Sequence, residues 1–475
     1  MTSLSNEIVD EYINEQFDIC VIGAGMAGAT ITAYIASQGI KVALIDRSFS
    51  EKNRIVGELL QPGAVETLSK MGLGHLLEGF DGQDVNGYAL LQDNDQFTIP
   101  YNKTKDTHFH GVGLHNGRFL QKLRASALQN PSVTKLEGKA TGLIEDQDGV
   151  VTGVKFKDKA TGKVSDIQAK LTITSDGFFS HFRTALSKNE KSVTSFFIGL
   201  ILKNCQLPYP NHGHVFLSGP TPFLCYPISS TEVRILIDFP GDKAPKRAAI
   251  KEHLKSNVAP YIPEAMKLSY KQAVVEENFK VMPNHYMAAK PVLKEGAVLL
   301  GDALNMRHPL TGGGITAVFS DVNILGSHLM AMPDFNDTNL IYKKVQRYYK
   351  DRRHANANVN ILANALYGVM SDNTLKNAVF QYIKQGGNCS LEPISILAGL
   401  NKNQKTLIKH FITAVLFGAR SLIKEGITNI PKVLIMLRDA FKIIKPLAKN
   451  ELTSAAVFGS NYHLHRYYYD RLDKG

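Results

Sequence analysis

Phe17-Asp18-Ile19-Cys20-Val21-Ile22 runs directly into Gly23-Ala24-Gly25-Met26-Ala27-Gly28, and this junction restricts the fold more than any other stretch of the chain. Six largely apolar residues predict a strand buried on both faces. A helical run follows to about Gln38, and a second strand is predicted over 41–45. Strand, glycine turn, helix and strand within about thirty residues make a βαβ opening. In such a turn the first glycine permits the bend and the second lets backbone approach a pyrophosphate. The third allows close helix packing. The helix start adds free N–H groups and a positive dipole end, so an anion is favoured there. Asp46 closes the second strand, where an acidic side chain can accept hydrogen bonds from a ribose 2′-OH.

A chain of 475 residues exceeds what one core usually serves, so two or three interleaved domains are expected. Apolar residues at 44% and charged residues at 20% place it among globular rather than disordered chains. Strand-like segments recur near 142–156, 169–174, 195–203, 214–217 and 233–239, predicting an antiparallel sheet inserted into the nucleotide-binding fold. A short buried strand returns at 297–300. From about 335 onward the pattern turns helical, with Pro393, Pro431 and Pro446 as expected helix boundaries. Cys20, Cys205, Cys225 and Cys389 are scattered without a CxxC pair, which argues against a disulfide framework and for a reducing compartment. His212 and His214 alternate along a strand without a carboxylate or cysteine at ligand spacing. Structural histidines, and no metal, are therefore expected.

A second motif separates the possible cofactors. Leu299-Leu300-Gly301-Asp302-Ala303 is a buried strand running into Gly-Asp, and Gly312-Gly313-Gly314 opens another helix. This resembles FAD proteins of the aromatic-hydroxylase kind, in which the Asp meets the ribityl chain. The helix N-terminus there points at the flavin, and its partial positive charge favours the electron-rich reduced ring. Thr174-Ser175-Asp176-Gly177 resembles the Asp-Gly motif of the same hydroxylases. No second strand-GxGxxG-helix and no CxxxxC dithiol is present, so a separate NADPH domain is not visible. Electrons then come from a nicotinamide nucleotide that visits the flavin or from a partner reductase.

Two longer segments resemble the squalene epoxidase family. They are Arg54-Ile55-Val56-Gly57-Glu58-Leu59-Leu60-Gln61-Pro62-Gly63 and the run from Gly301-Asp302-Ala303-Leu304-Asn305-Met306-Arg307-His308-Pro309-Leu310-Thr311 to Gly314. Asn86-Gly87-Tyr88, Gly117-Arg118-Phe119, His212-Gly213-His214-Val215, Met282-Pro283-Asn284 and Gly386-Gly387-Asn388-Cys389 support the match, which extends to about residue 400. Two departures stand out: the N-terminus lacks the hydrophobic anchor of some animal relatives, and Ile315 replaces a common Met. The resemblance implies FAD contacts at Asp46, Arg47, Arg54, Arg118, Asp302, Gly314 and Ile315, with the backbone near Ala140. It adds the Gly23, Gly25, Met26, Ala27 and Gly28 loop. Guanidinium forks suit phosphate oxygens, although a lone surface Arg is by default a salt-bridge partner. The resemblance also places Tyr88 beside the reacting alkene, held by Gln61. It implies an α/β Rossmann-type FAD-binding domain from 1–84, 111–190 and 286–334. An interleaved antiparallel-sheet substrate domain would span 85–110 and 191–285, and a helical membrane-associating region 335–475.

The activity implied is conversion of squalene to (S)-2,3-epoxysqualene in sterol biosynthesis, with O₂ and with electrons from NADPH through a flavoprotein reductase. Reduced flavin activates O₂ for transfer, so neither a protein nucleophile nor a metal is required, and water must be excluded. Residues 196–201 and 222–227 are candidates for a tunnel lining, or for ordinary sheet core. The competing readings are another FAD monooxygenase or reductase of this fold acting on a polyprenyl or aromatic substrate, and a non-catalytic prenyl-binding protein. A yellow protein and a product assay on squalene separate them.

The net charge of +11 is concentrated, since 401–449 holds ten Lys/Arg and two Asp/Glu. Such a block suits nucleic acid or anionic lipid. Helically spaced apolar residues interleave with it, and the implied substrate is a hydrocarbon. Membrane lipid is therefore the expected partner, not nucleic acid. The longest charge-free apolar run there, 411–419, is about half a membrane span, and the N-terminal acidic segment offers no secretory signal. A protein lying on the endoplasmic reticulum membrane, or on lipid droplets, is expected.

Overall fold

The computed structural model describes residues 16–52, 54–101 and 108–452. The reading of the acidic segment 1–15 falls outside them. The predicted βαβ opening is present as strand Gln16–Ile22, helix Met26–Ala36 and strand Val42–Asp46. These strands are parallel neighbours in an array completed by Val133–Glu145, Val164–Thr174 and Ala297–Leu299. Ile19, Val21, Leu44, Leu171, Ile173 and Val298 are each 0% exposed, as strands covered on both faces require.

Register matters more than composition here. Ile22 sits opposite both Ile45 and Thr174, and Thr174 sits opposite Leu299. The chain therefore leaves these strands at one level, and the Gly23 loop, the Asp176 loop and the Gly301 loop share one edge. That is the carboxyl end of a parallel sheet, where ligands of such folds bind.

The predicted strand at 142–156 is two strands, since Asp146 closes a turn by accepting N–H bonds from Asp148 and Val150, and Gly149 takes a positive φ. Val151–Asp158 then pairs antiparallel with the far halves of Val133–Glu145 and Val164–Thr174.

The inserted sheet has seven strands, in the order Lys280–Tyr286, Ser192–Lys203, Glu232–Pro240, Phe223–Pro227, Gly213–Phe216, Gly87–Gln92, Asp95–Pro100. Its period-2 alternation buries both faces. Ile198, Leu200, Phe223, Cys225, Ile235 and Ile237 pack on one side against Ile250, Met266 and Tyr270 of helices Arg247–Glu252 and Glu264–Val275. Phe197, Leu224, Tyr226 and Leu236 face the other way, toward Tyr88, Leu310, Phe380 and Ile394.

From Thr338 the chain is helical: Thr338–Met370, Asn373–Lys384, Asn388–Leu397, Gln404–Glu425 and Ile430–Leu452. Pro431 lies at a helix start as expected, but Pro393 and Pro446 lie inside helices. An internal proline costs a helix about 3 kcal/mol. Burial of the adjacent Ile394 and Ile396 in one case, and of Leu447 in the other, offsets it.

The two halves are joined by a buried ion pair. The Arg234 guanidinium, on the seven-stranded sheet, donates Nε to Glu58 Oε2 at 2.6 Å and an Nη to Oε1 at 2.9 Å, and both side chains are almost fully buried. Glu58 also anchors backbone, its carbonyl accepting from Leu114 N at 2.7 Å. Arg234→Met leaves a buried carboxylate without its partner, so urea unfolding should show a loss of about 3–5 kcal/mol. The double variant Glu58→Gln with Arg234→Met should regain most of it. A single variant as stable as the parent chain would show that the pair does not join the halves.

Candidate functional site

The edge formed by the three loops is built tightly on the protein side and open on the other. Gly23 N–H donates to Ile45 O at 2.7 Å, and Ser175 Oγ donates to the carbonyls of Ile22 and Gly23. A Cβ on Gly28 would run into the Gly23 carbonyl, whereas a Cβ on Gly25 would meet nothing within 4 Å. The first position demands glycine for packing, and the second leaves the backbone approachable. Met26 and Ala27 open the helix behind it. Asp46, expected to face a ribose, also holds the loop: its carboxylate accepts from Ala24 N at 2.8 Å and from Ser48 N at 3.0 Å.

Arg124 went unremarked in the sequence and ties the same loop from beneath. It donates to Ala24 O at 2.8 Å and Ser50 O at 3.1 Å, and lies 3.7 Å from Asp46. Arg47, Arg54 and Arg118 are all exposed and make no ion pair among the described residues. The surface salt bridges that a lone Arg usually makes are thus not formed. Ala140 lies at a bulge in Val133–Glu145, on the antiparallel extension of the sheet.

At the other end of the edge, Gly301–Ala303 forms a single 3₁₀ turn. Arg183, a second residue the sequence did not advertise, clamps it to the neighbouring loop. Its guanidinium donates to Ala303 O, Asp302 O, Gly177 O and Phe178 O at 2.9–3.1 Å. The Asp302 side chain is half-buried and makes no hydrogen bond among the described residues. Nearby, Asp176 Oδ1 is buried without a hydrogen-bond partner, and burial raises that carboxyl above its ordinary value. A Cβ on Gly314 would meet nothing within 4 Å. Ile315 is buried in the first turn of helix Gly314–Met330. An open glycine loop, an uncommitted carboxylate, an orphaned buried oxygen and a second open glycine at a helix start fit an extended dinucleotide with a ring at its far end.

Between this edge and the seven-stranded sheet lies Gln61, 0% exposed. Its Nε2 donates to Tyr88 OH at 2.6 Å and to Thr311 O at 2.9 Å, while its Oε1 accepts from Tyr101 OH at 2.7 Å. A backbone carbonyl can only accept, so the side facing Thr311 must be the amide nitrogen. Tyr101 was not read from sequence. It follows strand Asp95–Pro100, which was not predicted, and carries no motif, yet it completes the amide. The Tyr88 and Tyr101 rings meet edge to face at 6.1 Å. Burial pushes Tyr88 up to about 12, so its phenol keeps its proton. The surroundings are apolar: Ile55, Leu59, Ile99, Phe197, Leu224, Tyr226 and Leu310. Of the two candidate lining segments, alternate residues face this cluster and the rest face the opposite core.

Both rings of the His212 and His214 pair are tied to nearby backbone, His212 Nδ1 lying 2.8 Å from Pro210 O and His214 Nδ1 3.0 Å from His212 O. Burial pushes His214 down to about 4, its Nε2 accepts from Tyr209 N, and no metal-binding group of side chains occurs among the described residues. At the C-terminus, Ile412, Leu416, Leu434, Ile435 and Phe441 are exposed on helices Gln404–Glu425 and Ile430–Leu452, at 50–63%. The first of these helices is long and apolar enough to cross a membrane by length and composition, with 33% of its apolar window buried in the protein. The run of 411–419 understated it, because the helix stays apolar past single polar and charged positions.

A family model described as squalene epoxidase matches residues 168–435. Squalene epoxidase 3 of Arabidopsis thaliana is 40% identical over 446 residues, covering 91% of this chain and 84% of that one. Squalene epoxidase erg1 of Schizosaccharomyces pombe is 37% identical over 452 residues, covering 92% and 99%. Among solved structures, PqsL of Pseudomonas aeruginosa, described as a probable FAD-dependent monooxygenase, superposes with a TM-score of 0.63 at 17% identity. That match covers 77% of this chain and 100% of PqsL, and it establishes the fold. With the parallel edge, the glycine loop and the Gly-Asp turn in place, and with relatives aligned along nearly its whole length, this chain belongs to the squalene epoxidase family.

Proposed function

We propose that this protein is an FAD-dependent monooxygenase that converts squalene to (S)-2,3-epoxysqualene in sterol biosynthesis. The observation that carries the reading is the placement of the Gln61–Tyr88 pair. It is a buried hydrogen-bonded pair inside an apolar cluster, one carbonyl away from the glycine run that opens helix Gly314–Met330. In this reading the FAD-binding domain comprises 1–84, 111–190 and 286–334, and 85–110 with 191–285 form the substrate domain. FAD, once reduced, would supply two electrons to activate O₂, one atom of which goes to the alkene while the other leaves as water.

The chain's own residues do the rest. Gly23, Gly25 and Gly28 with the start of helix Met26–Ala36 take the pyrophosphate, and Arg54, Arg118 and Arg47 supply charge to it. Asp302 takes the ribityl end, and the Gly314–Met330 helix start favours negative charge on the ring. Tyr88, its oxygen occupied by Gln61, keeps a hydroxyl proton for the substrate side. The apolar shell excludes water and holds one end of the hydrocarbon. Electrons come from NADPH through a partner flavoprotein reductase.

A squalene molecule arrives from lipid, and the C-terminal helices suit that surface. Their exposed Ile, Leu and Phe side chains are bordered by Lys409, Arg420, Lys424, Lys432 and Lys442, the composition of helices that enter the acyl boundary beside anionic head groups. We therefore place the protein on the endoplasmic reticulum membrane or on lipid droplets.

Asp302→Ala removes a carboxylate that accepts no hydrogen bond among the described residues, though it lies in the field of Arg183 and Arg307. The variant should melt like the parent chain yet lose its flavin on gel filtration. Parental flavin content and turnover would overturn the assignment. Tyr88→Phe should lower epoxidation per bound flavin by the equivalent of about 1–3 kcal/mol, because Gln61 then keeps an unpaired buried N–H. Unchanged epoxidation would relegate Tyr88 to packing.

Deleting the C-terminal helices would also cut Val415, Val433 and Met436 out of a core cluster, so docking is better tested at the surface. Ile412→Ser, Leu416→Ser, Leu434→Ser and Phe441→Ser together should abolish co-sedimentation with anionic vesicles, each site losing up to about 1.5–3 kcal/mol of apolar burial. Undiminished binding would remove this surface from consideration.

A further inference from the structure

One buried polar cluster has no part in the chemistry above. Ser195, Asp238 and Asn284 project from three adjacent strands onto one face, with Ser195 opposite Asn284 and Asp238 opposite Phe197. All three are 0–1% exposed, and His308 closes the cluster from above at 2%. Asn284 Nδ2 donates to Ser195 Oγ at 2.9 Å and lies 3.5 Å from Asp238 Oδ1, while Tyr367 OH lies 3.5 Å from Oδ2. His308 Nε2 lies 3.1 Å from Ser195 Oγ. The imidazole stacks on Tyr367 at 3.9 Å and meets the edge of Phe197 at 5.6 Å.

The direction of each hydrogen bond follows from the partners. Leu310 N donates to His308 Nδ1 at 3.2 Å, so that nitrogen carries the lone pair. Burial pushes His308 down to about 3, so the ring is neutral and its one proton is on Nε2. Nε2 therefore donates to Ser195 Oγ. Accepting from both His308 and Asn284, Ser195 has its own proton left for Asp238, whose carboxyl it lowers. The chain of donors runs from the Pro309–Thr311 turn to a buried carboxylate. At its other end Thr311 O receives Gln61.

We propose that Ser195, Asp238 and His308 form a positioning relay that fixes the Pro309–Thr311 turn and, through Thr311, the orientation of Gln61 and Tyr88. The relay rests on the squalene reading only for its turnover assay. Among the described residues, Asp238 is faced by Ser195 and Asn284 from the sheet and Tyr367 from helix Thr338–Met370, while neutral His308 reaches it only through Ser195. Burial outweighs the three hydrogen bonds and pushes Asp238 up to about 6. Below that pH the protonated carboxyl no longer draws the Ser195 proton, and the relay slackens.

The test uses the full-length holoprotein. His308→Phe keeps the ring contacts and removes both nitrogens, and Ser195→Ala removes the link. Each should lower kcat about tenfold while flavin content and squalene KM stay within about twofold. More O₂ should also be consumed per epoxide formed. The double variant should be no worse than His308→Phe alone. Parental kcat falls on the acid side of about pH 6, and Asp238→Asn flattens that limb. Parental kcat and coupling in His308→Phe, or additive losses in the double variant, would overturn the relay. A ¹⁵N-histidine spectrum, assigned by difference with His308→Phe, should show His308 as the Nε2–H tautomer, unprotonated down to pH 5. An Nδ1–H or protonating His308 overturns the relay even if squalene proves not to be the substrate. Absence of epoxide from the parent chain instead overturns the proposed function and leaves the tautomer measurement to judge the relay.

Discussion

The amide of Gln61 has three hydrogen-bonding directions in use, and three parts of the chain must converge for it to be buried at all. A buried amide left half-paired costs on the order of 1–3 kcal/mol for each missing bond. Strand Gly87–Gln92 must present Tyr88, the stretch after strand Asp95–Pro100 must present Tyr101, and the turn before the second glycine run must present a carbonyl. The side chain is thus a checkpoint on assembly, satisfied only when the seven-stranded sheet sits correctly against the part built on the parallel strands. The Glu58–Arg234 pair three residues earlier fastens the same segment to the same sheet, so two buried polar contacts set a geometry that apolar packing alone would leave loose.

The nucleotide half was legible because its signals are local. A buried strand followed by GxGxxG and a helix specifies its own turn, and the Gly-Asp segment does likewise. What the sequence could not reveal was register, and register is what levels Ile22, Thr174 and Leu299 and so brings three loops to one edge. The clamps Arg124 and Arg183 were invisible for the same reason. Each donates to backbone carbonyls of residues distant in sequence, and a carbonyl has no residue-type signature.

The substrate side was less legible. Tyr88 and Gln61 were singled out only through family resemblance. The candidate lining segments proved two-sided, since a strand in a sheet covered on both faces alternates between two cores. Prolines misled for a related reason: Pro393 and Pro446 signal helix ends locally, but tertiary burial around them outweighs the lost backbone bond. Amphipathicity at the C-terminus was plain, although the length of helix Gln404–Glu425 was not, because charged positions within it break the apolar runs that a reader counts.

The central strand Gln16–Ile22 has consequences for how the chain is made. Its partner on one side, Val42–Asp46, emerges within a few dozen residues, but its partner on the other, Val164–Thr174, follows about 150 residues later. Val133–Glu145 and Ala297–Leu299, which complete the array, are also distant in sequence. Non-local parallel pairing closes slowly, because the loop entropy must be spent before any strand contact rewards it. During synthesis the first strand therefore waits with one apolar edge open until nearly two-fifths of the chain has been made. That open edge is the aggregation-exposed state of this fold. The nascent chain is most in need of chaperone protection early, well before its C-terminal helices exist.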